Sequence, residues 1–73
     1  MMPVTTLIEM GSAMFGTRWR VELARNLGVS RVAVHKWINK GQIPDARADE
    51  VRALFALRLK LMQDVAAENQ IDV

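Results

Sequence analysis

Gly16, Gly28 and Gly41, with Pro44 close behind, divide this chain into four segments. Glycine takes the left-handed backbone that ends a helix without a steric penalty, and proline is excluded from helix interiors. Between these breaks the apolar residues recur three and four positions apart, the period of a helix face rather than the alternation of a strand. The first segment predicts a helix over residues 5–16. Thr6 and Glu9 fit a capping box there, and Leu7, Ile8, Gly11, Met14 and Phe15 share one face. Thr17 then caps a second helix, 17–27, with Leu23, Ala24 and Leu27 inward. Ser30 is a good cap for a third, 30–40. A fourth spans 44–68, with Asp45, Asp49 and Glu50 near its positive end and Val51, Leu54, Phe55, Leu59, Met62, Val65 and Ala66 as its apolar positions. Residues 69–73 read as an unstructured tail. The expected fold is all-α: one compact four-helix domain whose last helix is long.

Seventy-three residues make a small domain. A chain of about 60 residues buries only about 60% of the surface its unfolded form exposes, so a partner surface or cross-link is expected to add stability. Cysteine is absent, which excludes disulfides, thiolate metal sites and thiol nucleophiles; with a single histidine, no metal site and no cofactor are expected. No acid/base pair, nucleophile constellation or phosphate-binding glycine loop is present, so an enzyme is not expected. The first sixteen residues hold no Lys or Arg and include Glu9, unlike a signal peptide. The longest apolar run, residues 53–57, is far short of the roughly 18 residues of a membrane span. These features predict a cytoplasmic protein with no membrane partner and no small-molecule ligand.

Charge is unevenly placed. Residues 1–17 carry −1, residues 18–47 carry +5 and residues 48–73 carry −2, within a net +2. A basic middle between acidic flanks is the footprint of a polyanion-binding surface. The third segment, GVSRVAVHKWINKG, sharpens this. A helix turns about 100° per residue, so Val32, Ala33 and Val34 cannot all face one core. With Val34 inward, Trp37 and Ile38 join it, and Val32 is left on the opposite face with Lys36, flanked by His35 and Asn39. Lys40 and Ala33 lie toward the other edge, and Arg31 can swing to the same side. An outward valine among hydrogen-bond donors suits a major groove: arginine and lysine reach guanine O6 and N7, and a methyl packs on the thymine methyl. Trp37 reads as a core anchor, Trp19 as a core or helix-packing residue, and the five methionines as packing filler.

Ala24, Gly28, Val29, Val34 and Trp37 fall where helix-turn-helix proteins of the phage Cro/repressor type place their signature residues. The stretch ELARNLGVSRVAVHKWINKGQIP, within roughly residues 20 to 44 and about a third of the chain, resembles that family. A small residue at Ala24 lets the two helices cross closely, and the turn at Gly28 requires positive φ. The resemblance implies that residues 31–40 form a recognition helix in the major groove of double-stranded DNA. It further implies that Arg31, Val32, His35 and Lys36 contact bases, while Arg18, Arg20, Ser30, Asn39 and Lys40 hold phosphates. The family often carries glutamine where Arg20 stands, and Arg20 would serve there by charge.

The fourth helix, about 24 residues and roughly 36 Å long, exceeds what a three-helix core needs. Leu57 and Leu61 widen its apolar stripe, which predicts one side packed on helices one and three and another on a second copy. The dimer interface is expected at Leu54, Leu57, Leu61 and Val65, placing two recognition helices about 34 Å apart on an inverted repeat. The expected function is a small homodimeric repressor of a bacterial cell or phage-infected host. The alternative is a helix-turn-helix assembly module, such as a phage packaging subunit or an antitoxin, whose fourth helix binds another protein. VSRVAVHKWINKGQIP also resembles excisionase and winged-helix proteins, but these continue into a strand-forming wing, whereas residues 45–50 here start a helix.

Overall fold

The computed structural model describes residues 2–70. The chain is mostly helical, as expected. In order, it forms strand β1 (Met2–Pro3), helix α1 (Val4–Phe15), a 3₁₀ turn (Gly16–Arg18), α2 (Trp19–Leu27), α3 (Arg31–Lys40), strand β2 (Gln42–Ile43) and α4 (Asp45–Glu68). Among the described residues, no helix is long and apolar enough to cross a membrane.

The expectation of a compact, purely helical domain is corrected in two respects. β1 and β2 pair antiparallel, Met2 opposite Ile43 and Pro3 opposite Gln42, and the Val4 N–H donates to the Gly41 carbonyl at 3.1 Å. Met2 and Ile43 share the inner side of this ribbon and are almost fully buried. Second, the molecule is elongated, with extents of 42 × 22 × 19 Å. The length comes from α4, which packs mainly against α1 and α2 rather than α1 and α3, reaches α1 as far along as Arg58, Leu59 and Met62, and leaves Leu57, Leu61 and Val65 exposed.

The ribbon also corrects the start of α1. Pairing holds Met2 and Pro3 extended, so the helix begins at once after Pro3, which sits at the N-cap without a side-chain cap. Thr6 therefore lies inside the first turn rather than before it, and the Thr6–Glu9 capping box does not form at the helix boundary. The helix still ends where expected, at Gly16 (φ 71°, ψ −143°), whose N–H donates to the Ser12 carbonyl. Thr17 does not cap α2. It lies in the 3₁₀ turn, where the Trp19 N–H reaches the Gly16 carbonyl, and α2 starts two residues later than predicted. Residues 69 and 70, read as part of a loose tail, close the end of α4. The Asn69 N–H donates to the Val65 carbonyl, and the Gln70 N–H to that of Ala67. Residues 71–73 of that predicted tail lie outside the described residues.

The core joins Met2, Leu7, Trp19, Leu23, Ala24, Val34, Trp37, Ile43, Ala48 and Val51, with Leu27, Ile38 and Leu54 half-buried at its border. Trp19, at the start of α2, packs closely against α1 at Gly11. A Cβ built on Gly11 would meet the indole Cε3 and Cδ2, the latter at 2.9 Å. The glycine is thus a docking surface for the ring. At the far end, the Arg58 guanidinium stands 4.6 Å from the Phe15 ring centroid and ties α4 to the end of α1.

Gly11→Ala sets two effects against each other. Alanine improves helix propensity by about 1 kcal/mol, but overpacking a buried aromatic costs roughly 1–3 kcal/mol. Because the atoms met belong to a rigid, buried ring, overpacking wins, and urea unfolding is expected to show a lower midpoint. Equal or greater stability of the variant would refute this packing account.

Candidate nucleic-acid interface

α2 and α3 form the pair that sets the site. Gly28 adopts the left-handed conformation (φ 69°, ψ 30°), and its N–H closes on the carbonyls of Ala24 and Arg25. The Val29 N–H follows onto the Ala24 carbonyl at 3.0 Å. Ala24 is buried, so the chain leaves α2 over a small side chain and turns directly into α3. Ser30 is extended (φ −78°, ψ 156°), and its Oγ accepts from the Ala33 N–H at 3.1 Å, the N-cap predicted from sequence. Gly41, also left-handed, ends the helix.

Within α3, Val34 is fully buried and Trp37 nearly so, both against the core. That anchoring fixes the helix's rotation. Arg31, Val32, His35, Lys36, Asn39 and Lys40 are all exposed, and Val32 shows 61% of its surface. The predicted base-contacting residues therefore share one outer face, with Asn39 and Lys40 continuing it by a turn. Ser30 is exposed at its head, where its hydroxyl accepts from the backbone and keeps its proton free to donate.

Arg18 and Arg20 are exposed around the start of α2. The Arg20 guanidinium lies over the Trp19 ring, 5.0 Å from its centroid, so the same indole that packs on Gly11 orients this cation. The ion pairs Glu22–Arg25, Arg47–Glu50 and Asp49–Arg52 each join residues one turn apart within a helix. Arg18, Arg20, Arg31, Lys36 and Lys40 take part in none of these three pairs. Their charge is available to an external anion, as counterion release on DNA requires.

One residue beside this face escaped the sequence reading. Gln42, on β2, is exposed and lines a cleft of about 530 Å³ with Ala33, Lys36, Trp37, Lys40, Ile43, Pro44 and Asp45. Pairing of β2 with β1 brings Gln42 into the cleft that the two lysines line, and the sequence offered no signal for that pairing beyond an apolar residue on each side.

Replacing Ser30 by alanine is expected to cost about 1 kcal/mol of stability, the usual loss of an N-cap, with the helical signal retained below the transition. Thermal unfolding measures it. An unchanged midpoint would mean that the Ser30 hydroxyl does not cap α3 in solution.

Neither the family models, nor the curated proteins, nor the solved structures compared with this chain gave a match.

Proposed function

We propose that this protein is a sequence-specific DNA-binding regulator that works as a pair of copies and lays α3 in the major groove. The observation that carries the reading is the outer face of α3. It presents an exposed valine between exposed Arg31, His35 and Lys36, on a helix whose rotation is held by buried Val34 and Trp37. A positive charge alone needs no such arrangement, since phosphates are bound by any mobile cation. An apolar side chain set among donors on one helix face has a use where base edges offer acceptors next to a thymine methyl.

In this reading α2, Gly28 and α3 form a helix-turn-helix of the Cro/repressor type. Arg31, Val32, His35 and Lys36 read bases; Ser30, Asn39 and Lys40, with Arg18 and Arg20 on α2, fix the register on phosphates. No catalytic step, metal or cofactor is part of the mechanism. Repression would follow from occupancy of an operator in a bacterial or phage-infected cell.

A second reading, an assembly module or antitoxin, is favoured by one observation. Leu57, Leu59, Leu61, Met62 and Val65 on α4 are all exposed, a surface suited to another protein. The two readings separate on what covers α4: a second copy in the first, a foreign chain in the second.

Alanine substitution tests the DNA reading. Arg31→Ala and Lys36→Ala are each expected to lose roughly 1–3 kcal/mol against duplexes carrying one particular base pair and little against others. Lys40→Ala is expected to weaken binding to every duplex alike and to lower the salt slope by about one. Fluorescence anisotropy on a panel of single-base variants measures both. Uniform loss from all three substitutions would contradict base reading by α3.

A further inference from the structure

The distal half of α4 carries a narrow apolar strip. Leu57, Leu61 and Val65 follow at four-residue spacing, and each is a little over half exposed in the single chain (55%, 54% and 55%). Residues so spaced share one helix face, and half-buried Leu54 continues the strip into the core. It is distinct from the cleft that α4 forms with α1, which Ala13, Met14, Phe55, Arg58, Leu59 and Met62 line.

We propose that this strip pairs with the same strip of a second copy, the two α4 helices running antiparallel with Leu61 on the two-fold axis. The proposal rests on the reading of the protein as one half of a paired DNA reader, and specifies how the halves join. Leu57 and Val65 lie four residues to either side of Leu61, so a two-fold axis there sets each copy's Leu57 on the other's Val65. An isologous interface needs this self-complementarity.

Charge selects the direction. On a helix turning about 100° per residue, Lys60 and Asp64 flank the same edge of the strip, and Arg58 flanks the other. In an antiparallel pair like edges meet, so each Lys60 has the other copy's Asp64 within reach as well as its own, one turn on. The two Lys60 side chains also approach each other, but each has two carboxylates against one ammonium. In a parallel pair opposite edges meet, so Lys60 loses the second copy's Asp64 and meets the edge of Arg58, whose guanidinium is held on Phe15. Flanking charges of this kind set the orientation of helix pairs.

The chain has no cysteine, so a single introduced thiol reports the geometry. In the antiparallel pair residue 57 adjoins 65, while 57 and its own copy are eight residues apart along the axis. That is about 12 Å, beyond the roughly 7 Å Cα separation a disulfide spans. Leu57→Cys and Val65→Cys proteins are expected to cross-link with each other on mild oxidation, and Leu57→Cys with itself hardly at all. Sedimentation of the unaltered protein at high micromolar concentration should give the mass of two chains. Leu61→Glu, which sets two carboxylates on the axis, should give the mass of one with the helical signal kept.

Efficient self-cross-linking of Leu57→Cys overturns the antiparallel arrangement. A single-chain mass for the unaltered protein, or a two-chain mass for Leu61→Glu, overturns the interface, and the former leaves α4 to a foreign partner. The DNA reading fails separately. A monomer that still discriminates half-sites through α3 refutes the pairing alone, and a dimer with no base preference refutes the reading of the bases alone.

Discussion

The seating of Trp19 on Gly11 is the contact on which the arrangement depends. Without a side chain, Gly11 lets the indole lie against the α1 backbone, where a Cβ would collide with it. That contact fixes where α2 begins and how closely it crosses α1. α2 in turn presents Leu23 to the core and Ala24 to the turn, so that α3 enters over a small side chain and buries Val34 and Trp37. The outer face of α3 is defined by this chain of contacts, not by anything on that face. In a domain this small, a misplaced ring has few neighbours to compensate for it.

The same indole also faces outward in effect. Its ring carries the Arg20 guanidinium, so one side chain is both a core element and the support of a surface cation. At the other end, Met2 and Ile43 close the core through the short ribbon, and the ribbon holds Gln42 beside Lys36 and Lys40. The basic surface is therefore built from two places in the chain, the start of α2 and the outer face of α3, with the neutral Gln42 of β2 at its border. Each is tied to the core by a buried neighbour within three residues.

The helices were legible wherever period and punctuation agreed. Gly28 and Gly41 ended α2 and α3 as left-handed caps, Ser30 capped α3, and the three-residue run Val32-Ala33-Val34 resolved into an outward, an intermediate and a buried residue. The ribbon was not legible, because two-residue strands have no alternation to detect and their pairing joins Met2 to Ile43 and Pro3 to Gln42, across the long stretch of chain between. The start of α1 was misplaced for the same reason: a capping box is a local signal, and a tertiary pairing overrode it. Ala48, fully buried, hid in the polar stretch that opens α4, since a buried alanine leaves little mark on a hydrophobic pattern. The stacking of Arg20 on Trp19 joins adjacent residues, which helix periodicity treats as facing apart. For the site, the positions on α3 could be read from sequence, whereas Gln42 depended on the unseen ribbon.

The proposed function turns on base-specific reading by a helix face that the core holds in place. Selection of the purified protein on random duplex DNA near physiological salt, followed by sequencing of the retained duplexes, tests this most directly. The expected result is one enriched motif, repeated in inverted orientation with half-sites about one helical turn apart. Retention without enrichment, lost as salt is raised, would show that the basic surface holds phosphates only and would contradict the account.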